Sequence, residues 1–205
     1  MTAKRVGCVK RSADTTRAEF GTCVGSSRSL DRTYALCVSS VMSRSKETIV
    51  GVISDTHGLL RPEAVAALRG SHTIIHAGDI GRPEVLDALR ALAPTYAVRG
   101  NVDTQGWAAR LPATVVVEVR RLRFWLLHDI AELDLDPAAA GFAAVIFGHS
   151  HKPSIEMRDG VLYLNPGSAG PRRFKLPVTI ARLRVSGTTI RPEIVELDVS
   201  ETRSA

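Results

Sequence analysis

Aromatic residues and cysteines are scarce in this sequence of 205 residues. Aromatic side chains make up 5% of it, which argues against a surface that stacks on nucleic-acid bases. The three cysteines, Cys8, Cys23 and Cys37, all precede residue 42. An odd count without a zinc-binding spacing predicts neither a disulfide framework nor a zinc site. The rest of the chain has no cysteine, which is typical of a protein from a reducing compartment.

Long apolar runs and nucleotide-binding signatures are also missing. The longest apolar stretch, residues 137–147, is Ala-rich and far shorter than the roughly 20 residues that cross a bilayer. The first thirty residues contain no continuous apolar block, so no secretory signal is visible. Without a P-loop or a nucleophile elbow, phosphoryl transfer from nucleotides and acyl chemistry are disfavoured. We therefore expect a cytoplasmic protein with no membrane and no nucleic-acid partner.

The positive charge of the chain is concentrated near its N-terminus. Residues 1–41 hold seven Lys or Arg and three Asp or Glu, whereas residues 42–205 hold twenty and eighteen. Residues 1–47 show neither helical nor strand periodicity, which predicts a disordered extension before a domain at 48–205. Because Met42 lies just upstream of the first regular segment, we hypothesise that translation starts there and that the native protein lacks residues 1–41. The alternative is a basic tail with a binding role.

Strands and helices alternate in the first half of the domain. Buried strands are predicted at 48–54, 73–76 and 95–98, and helices begin at Pro62 and Pro83. The second helix is expected to extend through Leu92. Three strand–loop–helix units of this size imply parallel strands that are joined by right-handed crossovers.

The second half of the domain is dominated by hairpin signals. Strands are predicted at 113–119 and 122–128, at 154–158 and 161–164 around Asp159-Gly160, and at 177–185 and 189–197 around Ser186-Gly187. A short helix is expected near 131–140, followed by a strand at 143–147. Two sheets packed face to face, with helices outside, fit this order better than one doubly wound sheet.

Polar side chains follow five strands at the point where each strand ends. They are Asp55, His57, Asp79, Asn101, His128, His149 and His151. Taken singly, each has a structural interpretation: a helix N-cap for Asp55 or Asp79, a turn for Gly100-Asn101, a core histidine for His128. Together, they offer oxygen and imidazole ligands without a thiolate, as Mn²⁺, Fe or Zn²⁺ prefer at catalytic centres. Seven side chains suffice for two ions if one carboxylate is shared. His72 and His76 are interpreted as structural or supporting residues.

The chain resembles the calcineurin-like metallophosphoesterase superfamily in a series of motifs: Asp55-x-His57, Gly78-Asp79, Gly100-Asn101-x-Asp103, His128 and Gly148-His149-x-His151. Its small size and the turn at residues 165–168 resemble the compact phosphodiesterases of the YfcE type. The resemblance covers residues 48 to about 197 and implies an α/β fold, a four-layer α-β-β-α sandwich of two mixed sheets. It implies one ion held by Asp55, His57, Asp79 and His151, and a second held by Asp79, Asn101, His128 and His149. The expected ions are Mn²⁺, with Fe, Zn²⁺ or Ni²⁺ as alternatives.

The predicted activity is a metal-dependent phosphodiesterase that acts on a small phosphodiester. Two cations are expected to polarise the phosphoryl oxygens and to activate a water as hydroxide for in-line attack on phosphorus. Asn101 and Arg172 are the predicted substrate-binding residues, with Arg173 beside them. A solvated basic turn is the alternative for this pair.

Two residues depart from the family pattern. Val102 stands where larger members have a His that protonates the leaving group, so leaving groups that need little protonation are favoured. Asp103 could assist, although a supporting role is the stronger interpretation. Asp129 stands where relatives usually have Gly, either to tune the second metal or to face solvent.

Three alternatives to a phosphodiesterase stay open. A phosphomonoesterase or a dinucleotide-polyphosphate hydrolase would use the same residues. A non-catalytic interaction scaffold of this fold is the third, as for the retromer subunit, which has lost part of its metal set. The presence of all seven candidate ligands weighs against that interpretation. A homo-oligomer is compatible with the sequence.

Overall fold

The computed structural model describes residues 47–104, 106–173 and 175–199. The predicted extension at 1–47, with the hypothesis on Met42, falls outside the described residues except for Glu47. Within the described residues, no helix has the length and apolarity that a membrane crossing requires.

The first sheet has five strands in the order β10-β9-β1-β2-β3. Its parallel part consists of β1 (Thr48–Ile53), β2 (Thr73–His76) and β3 (Thr95–Ala97). The helices α1 (Pro62–Leu68) and α2 (Pro83–Arg90) connect these strands, and each begins with a proline, whose fixed φ suits the first helical turn. The antiparallel part is the C-terminal hairpin of β9 (Thr179–Ser186) and β10 (Thr189–Glu196), in which β9 pairs with β1.

The second sheet also has five strands, in the order β4-β5-β6-β8-β7. Its members are β4 (Val115–Val119), β5 (Leu122–Leu126), β6 (Ala144–Ile146), β7 (Ser154–Arg158) and β8 (Val161–Asn165). The central pairs β5–β6 and β6–β8 are parallel, and the two outer pairs are antiparallel. Both sheets are therefore mixed.

Apolar side chains from both sheets meet in one core. Val52 and Ile75 of the first sheet belong to the same buried cluster as Phe124 and Ile146 of the second. On the outer face of the first sheet, a second cluster joins strand residues to the buried faces of α1 and α2. The predicted α/β sandwich of two mixed sheets is thus confirmed.

The expectation of a helix near 131–140 was wrong. The structure has a 3₁₀ helix at Ile130–Glu132 and a separate turn in which Asp136 Oδ1 accepts hydrogen bonds from Ala138 N–H and Ala139 N–H. Asp136 caps a new turn that begins at Pro137, in the middle of the stretch. Gly141, with a φ of 72°, ends that turn. This segment, rather than an α-helix, covers the outer face of the second sheet, where Ile130 and Leu133 pack on a third buried cluster. Likewise, the described residues between β3 and β4 contain a 3₁₀ helix at Ala108–Arg110 instead of a third α-helix.

Candidate metal centre

Loops from both sheets converge at the carboxyl ends of β1, β2, β3, β5 and β6. Backbone hydrogen bonds join them: Asp55 N–H donates to Gly78 O (3.0 Å), His57 N–H to Asp79 O (2.9 Å) and Gly148 N–H to His128 O (2.9 Å). The carboxyl ends of parallel strands share one edge of a sheet, so ligands supplied by successive strands meet there. All seven predicted ligands lie in these loops.

Asp103 fastens two of the loops to each other. Its carboxylate accepts hydrogen bonds from Gly100 N–H (2.8 Å), Ile80 N–H (3.1 Å) and Gly81 N–H (2.8 Å). The side chain is buried, and these three donors occupy both of its oxygens. Asp103 therefore holds the loops that carry Asp79 and Asn101 in register.

Backbone strain is concentrated at the site. Of the seven non-glycine residues with positive φ in the described ranges, five are predicted ligands: Asp55, His57, Asp79, His149 and His151. Their φ values of 47° to 66° lie in the left-handed region, which costs a non-glycine residue roughly 1–3 kcal/mol. Such strain clusters at functional sites, where it directs side chains that a relaxed strand end would point elsewhere.

Two glycines allow the loops to approach closely. A Cβ at Gly148 would lie 2.8 Å from Asp55 Oδ2, and one at Gly100 would collide with the Asp79 side chain. Any larger residue at either position would displace a predicted ligand.

Asp55, His57 and His151 form the first half of the site. His151 Nε2 lies 3.3 Å from Asp55 Oδ1 and 3.4 Å from His57 Nε2. Both carboxylate oxygens of Asp55 are buried, and neither accepts a well-aligned hydrogen bond among the described residues, although the Ser54 hydroxyl and the His149 backbone N–H lie near enough to favour the charged form. Burial raises the pKa of Asp55 to about 6 and lowers the pKa of His151 to about 4, the latter with help from the Arg173 guanidinium. Burial also lowers the pKa of His57, so both imidazoles are neutral near pH 7.

Asp79 lies between the two halves. Its Oδ2 is 3.9 Å from His57 Nε2, and its Oδ1 is 3.4 Å from His128 Nε2 and accepts a hydrogen bond from Val102 N–H (3.0 Å). Burial raises the pKa of Asp79, but the hydrogen bonds from His128 and Val102 outweigh burial, so the net shift is downward.

Asn101, His128 and His149 form the second half. His128 Nδ1–H donates to Ala77 O (2.7 Å), which leaves Nε2 facing Asp79. Burial lowers the pKa of His128, yet the hydrogen bonds to Asp79 and Ala77 reverse this, so the pKa is raised overall. The half opens into a cavity of about 240 Å³ that is lined in part by Asn101, His128 and His149.

The side-chain oxygen of Asn101 is surrounded by potential metal ligands. It lies 3.1 Å from His128 Nε2 and 3.3 Å from His149 Nδ1, and the same position is 3.2 Å from each Asp79 carboxylate oxygen. Without a cation, the amide would be more stable when turned over, with its nitrogen donating to these atoms. With a cation among them, the oxygen orientation is the one that coordinates.

The donor set fits a divalent metal. The ligand atoms of Asp55, His57 and His151 lie within 4.8 Å of one another, as do those of Asp55, Asp79 and His128. A buried carboxylate is costly unless a cation or a proton neutralises it. Imidazole and carboxylate groups without a thiolate suit Mn²⁺, Fe and Zn²⁺.

The structure places the two predicted arginines differently. Arg172 lines a cavity of about 320 Å³ together with Val178 and residues 196–199, and none of the seven predicted ligands is among the described residues that line it. Arg173 instead reaches the first half, where its Nη2 lies 3.3 Å from His57 Nε2. The two positions are adjacent in a turn, so sequence alone could not assign them.

Other polar residues support the site. Fully buried His76 accepts from Gly78 N–H at Nδ1 (3.3 Å), and its Nε2 lies 2.9 Å from the Thr56 hydroxyl. Burial lowers the pKa of His76 to about 3, so the ring is neutral. His72 accepts from Ile49 N–H at Nδ1 (3.0 Å). Asp129 lies beside His149, a predicted ligand of the second ion, which agrees with the first of the two interpretations given for its departure from the family pattern.

Comparison with known proteins decides the family. A family model for the calcineurin-like phosphoesterase superfamily domain matches residues 49–188. The chain belongs to this superfamily. A probable metallophosphoesterase of Methanothermobacter thermautotrophicus is 34% identical over 168 residues, which cover 76% of this chain and 96% of the relative. The predicted family is confirmed, and the chain is a metallophosphoesterase by descent.

Solved structures agree with this assignment. An archaeal phosphodiesterase superposes with a TM-score of 0.62 at 25% identity and covers 72% of this chain and 100% of its own. YfcE, a phosphoesterase from E. coli, gives a TM-score of 0.54 at 21% identity over 74% of this metallophosphoesterase and 100% of its own chain. Vps29 from Chaetomium thermophilum gives 0.60 at 19% identity over 73% and 97%. The last two likenesses concern the fold alone.

Proposed function

We propose that this metallophosphoesterase hydrolyses small phosphodiesters at a centre of two divalent ions, with Mn²⁺ as the expected ion. Asp55, His57, Asp79 and His151 would hold one ion, and Asp79, Asn101, His128 and His149 the other. The orientation of Asp79 carries this proposal, because one carboxylate oxygen faces His57 and the other faces His128. A carboxylate placed in this way can be shared by two ions.

Bound ions would supply Lewis acidity, which polarises a phosphoryl oxygen and lowers the pKa of water. The chain's own residues direct the ligands and the substrate. The Ala77 carbonyl fixes the His128 ring through Nδ1. The Arg173 guanidinium places a positive charge next to His57, where it can bind a phosphoryl oxygen by a charge-assisted hydrogen bond. Arg173 thus takes the phosphate-binding role that the sequence suggested for Arg172.

Neither of the two residues that follow Asn101 in the sequence can protonate the leaving group. Val102 is 41% exposed and carries no proton to donate. The Asp103 carboxylate is engaged by three backbone N–H groups, so it is not available as an acid. We therefore expect esters of acidic alcohols, such as phenols, to be hydrolysed faster than alkyl esters.

The three alternatives differ in what, if anything, the protein hydrolyses. A phosphomonoesterase or dinucleotide-polyphosphate hydrolase would use the same centre, and a scaffold would need no turnover. The fully buried carboxylate of Asp55 favours a metal-binding site over a scaffold, because burying its charge without a cation is costly. The cytoplasmic location and the homo-oligomeric state expected from the sequence stay predictions.

The test is hydrolysis of an aryl phosphodiester and the matching aryl monoester by metal-stripped protein, before and after addition of Mn²⁺. The Asp79→Asn variant should be inactive. The Asp87→Asn variant is the matched control, because Asp87 lies on the exposed face of α2, where its side chain is 72% exposed. Mn²⁺-dependent turnover of the diester, retained by Asp87→Asn and lost by Asp79→Asn, would support the proposal. Turnover of the monoester alone would favour a monoesterase, and folded protein without turnover would favour a scaffold.

A further inference from the structure

Asp129 is held in place by the turn that it begins. Its Oδ1 accepts a hydrogen bond from Ala131 N–H (3.0 Å), and its backbone carbonyl accepts one from Glu132 N–H (3.0 Å). Asp129 therefore caps the 3₁₀ helix at Ile130–Glu132. With one carboxylate oxygen fixed by the cap, the direction of the other oxygen is fixed as well.

The second oxygen of Asp129 faces His149. Asp129 Oδ2 lies 3.8 Å from His149 Nε2, and the opposite ring nitrogen, Nδ1, lies 3.3 Å from the Asn101 side-chain oxygen. The distance of 3.8 Å exceeds that of a hydrogen bond, so the interaction is between a charge and the N–H dipole. The carboxylate favours a proton on Nε2, which leaves the lone pair of Nδ1 directed at Asn101.

His149 is the predicted ligand that most needs such support. Its side chain is 47% exposed, compared with 6% for His128 and 7% for His151. The ring of His128 is oriented by the Ala77 carbonyl. Within the described residues, the His149 ring has polar contacts with Asn101 and Asp129 and an edge contact with the His128 ring. In metal sites, a carboxylate on the outer nitrogen of a ligating histidine fixes both the tautomer and the ring orientation.

The negative charge of Asp129 also favours cation binding in the second half. The predicted ligands contribute two carboxylates, Asp55 and Asp79, against the four positive charges of two divalent ions. Asp129 adds a third negative charge beside the second half, whose predicted ligands otherwise include a single carboxylate, Asp79.

We propose that Asp129 is a positioning residue for His149, which it holds in the tautomer and orientation that bind the second cation. The inference rests on the proposed two-ion function. Its effect should be confined to one ion, because Asp129 forms an ion-pair contact with His149, whereas no hydrogen bond or ion pair joins it to Asp55, His57 or His151 among the described residues.

The experiment is calorimetric titration of the metal-stripped protein with Mn²⁺. The parent should bind two ions, and Asp129→Asn should bind one of them roughly 10- to 100-fold less tightly, with the affinity for the other unchanged. Asn keeps an oxygen for the cap, and Asp129→Ser provides a second uncharged side chain that caps well. Glu132→Gln is the matched control: it removes a carboxylate that lines the same cavity without touching the His149 contact.

A visible-spectrum titration with Co²⁺ provides a second readout. The absorption band of one site should appear at a higher Co²⁺ concentration in both Asp129 variants than in the parent. In Glu132→Gln it should appear at the same concentration as in the parent. If the parent and both Asp129 variants bound two ions with the same affinities as one another, the inference would be overturned and the two-ion proposal would be left intact. A parent that binds a single ion would overturn the two-ion proposal, and this inference with it.

Discussion

The two halves of the site share Asp79 but differ in burial and in hydrogen bonding. In the first half, Asp55 is buried and neither of its carboxylate oxygens accepts a well-aligned hydrogen bond among the described residues. In the second half, Asn101 and His149 are exposed, and each has polar partners. A buried group without a partner is costly, whereas an exposed one is hydrated. This difference fits the proposal that the first half holds a cation and that the second half admits substrate beside one.

The largest effect should come from breaking the first half. We expect Asp55→Asn to reduce activity by more than the roughly 100-fold that loss of a supporting residue typically costs, because a buried charge that faces the cation is removed. The measurement is kcat/KM for an aryl phosphodiester with saturating Mn²⁺. Activity in Asp55→Asn comparable to that of the parent would show that the buried half is not the metal site.

The same substitution should stabilise the metal-free protein. Burial raises the pKa of Asp55 from its ordinary 3.8 to about 6, so the folded state binds more protons than the unfolded state between these values. The contribution of Asp55 to the stability of the metal-free parent should therefore fall by about 3 kcal/mol as the pH rises from about 4 to about 6 and stay constant above. The lowered pKa values of His76 and His151 act in the opposite direction in both proteins, so the prediction concerns the difference between parent and variant. Asp55→Asn lacks this loss.

Urea denaturation of the metal-free parent and Asp55→Asn tests this prediction. The variant should be more stable above pH 6, and the difference should disappear below about pH 4. A difference that did not vary with pH would contradict the burial argument. Mn²⁺ should increase the free energy of unfolding of the parent above pH 6 and leave that of the variant unchanged. This result would link the cost of burying Asp55 to cation binding.

A substitution in the second half of the site is expected to have a smaller effect on metal binding than one in the first half. Asn101→Ala should lose the second ion and retain the first, since Asp55, His57, Asp79 and His151 are unchanged. The metal content of Mn²⁺-loaded, desalted protein measures this directly. Loss of both ions would mean that the halves do not bind independently, and retention of both would remove Asn101 from the ligand set.

The smallest expected effect is on KM, and it should differ between substitutions of the two adjacent arginines. Arg173→Ala should raise KM for the diester by roughly tenfold or more, the value of a charge-assisted hydrogen bond. Arg172→Ala should leave KM nearly unchanged, because Arg172 lines a cavity apart from the predicted ligands. The reverse result would restore the role that the sequence suggested for Arg172.

The sequence predicted features that depend on short-range patterns. Apolar runs that end in Asp, Asn or His marked β1, β2, β3, β5 and β6 and all seven candidate ligands, because strand ends and turns have local composition. The pairing of β9 with β1 was not predictable in this way, since it joins segments more than a hundred residues apart. The helix expected near 131–140 failed because Asp136 and Pro137 begin a new turn in the middle of the stretch and Gly141, with a φ of 72°, ends that turn after a few residues.

The directions of the side chains at the site could not be predicted from the sequence, because they also depend on contacts between distant segments. The positive φ of Asp55, His57, Asp79, His149 and His151 depends on loops from two sheets that hold each other in place. The approach of Arg173 to His57 and of Asp129 to His149 depends on the same packing. No single-residue preference signals either contact.

The most direct test of the two-ion centre is X-ray diffraction from Mn²⁺-loaded crystals at a wavelength where manganese scatters anomalously. The account predicts two anomalous peaks, one among Asp55, His57, Asp79 and His151 and one among Asp79, Asn101, His128 and His149, with Asp79 between them. A single peak, or peaks away from Asp79, would contradict it.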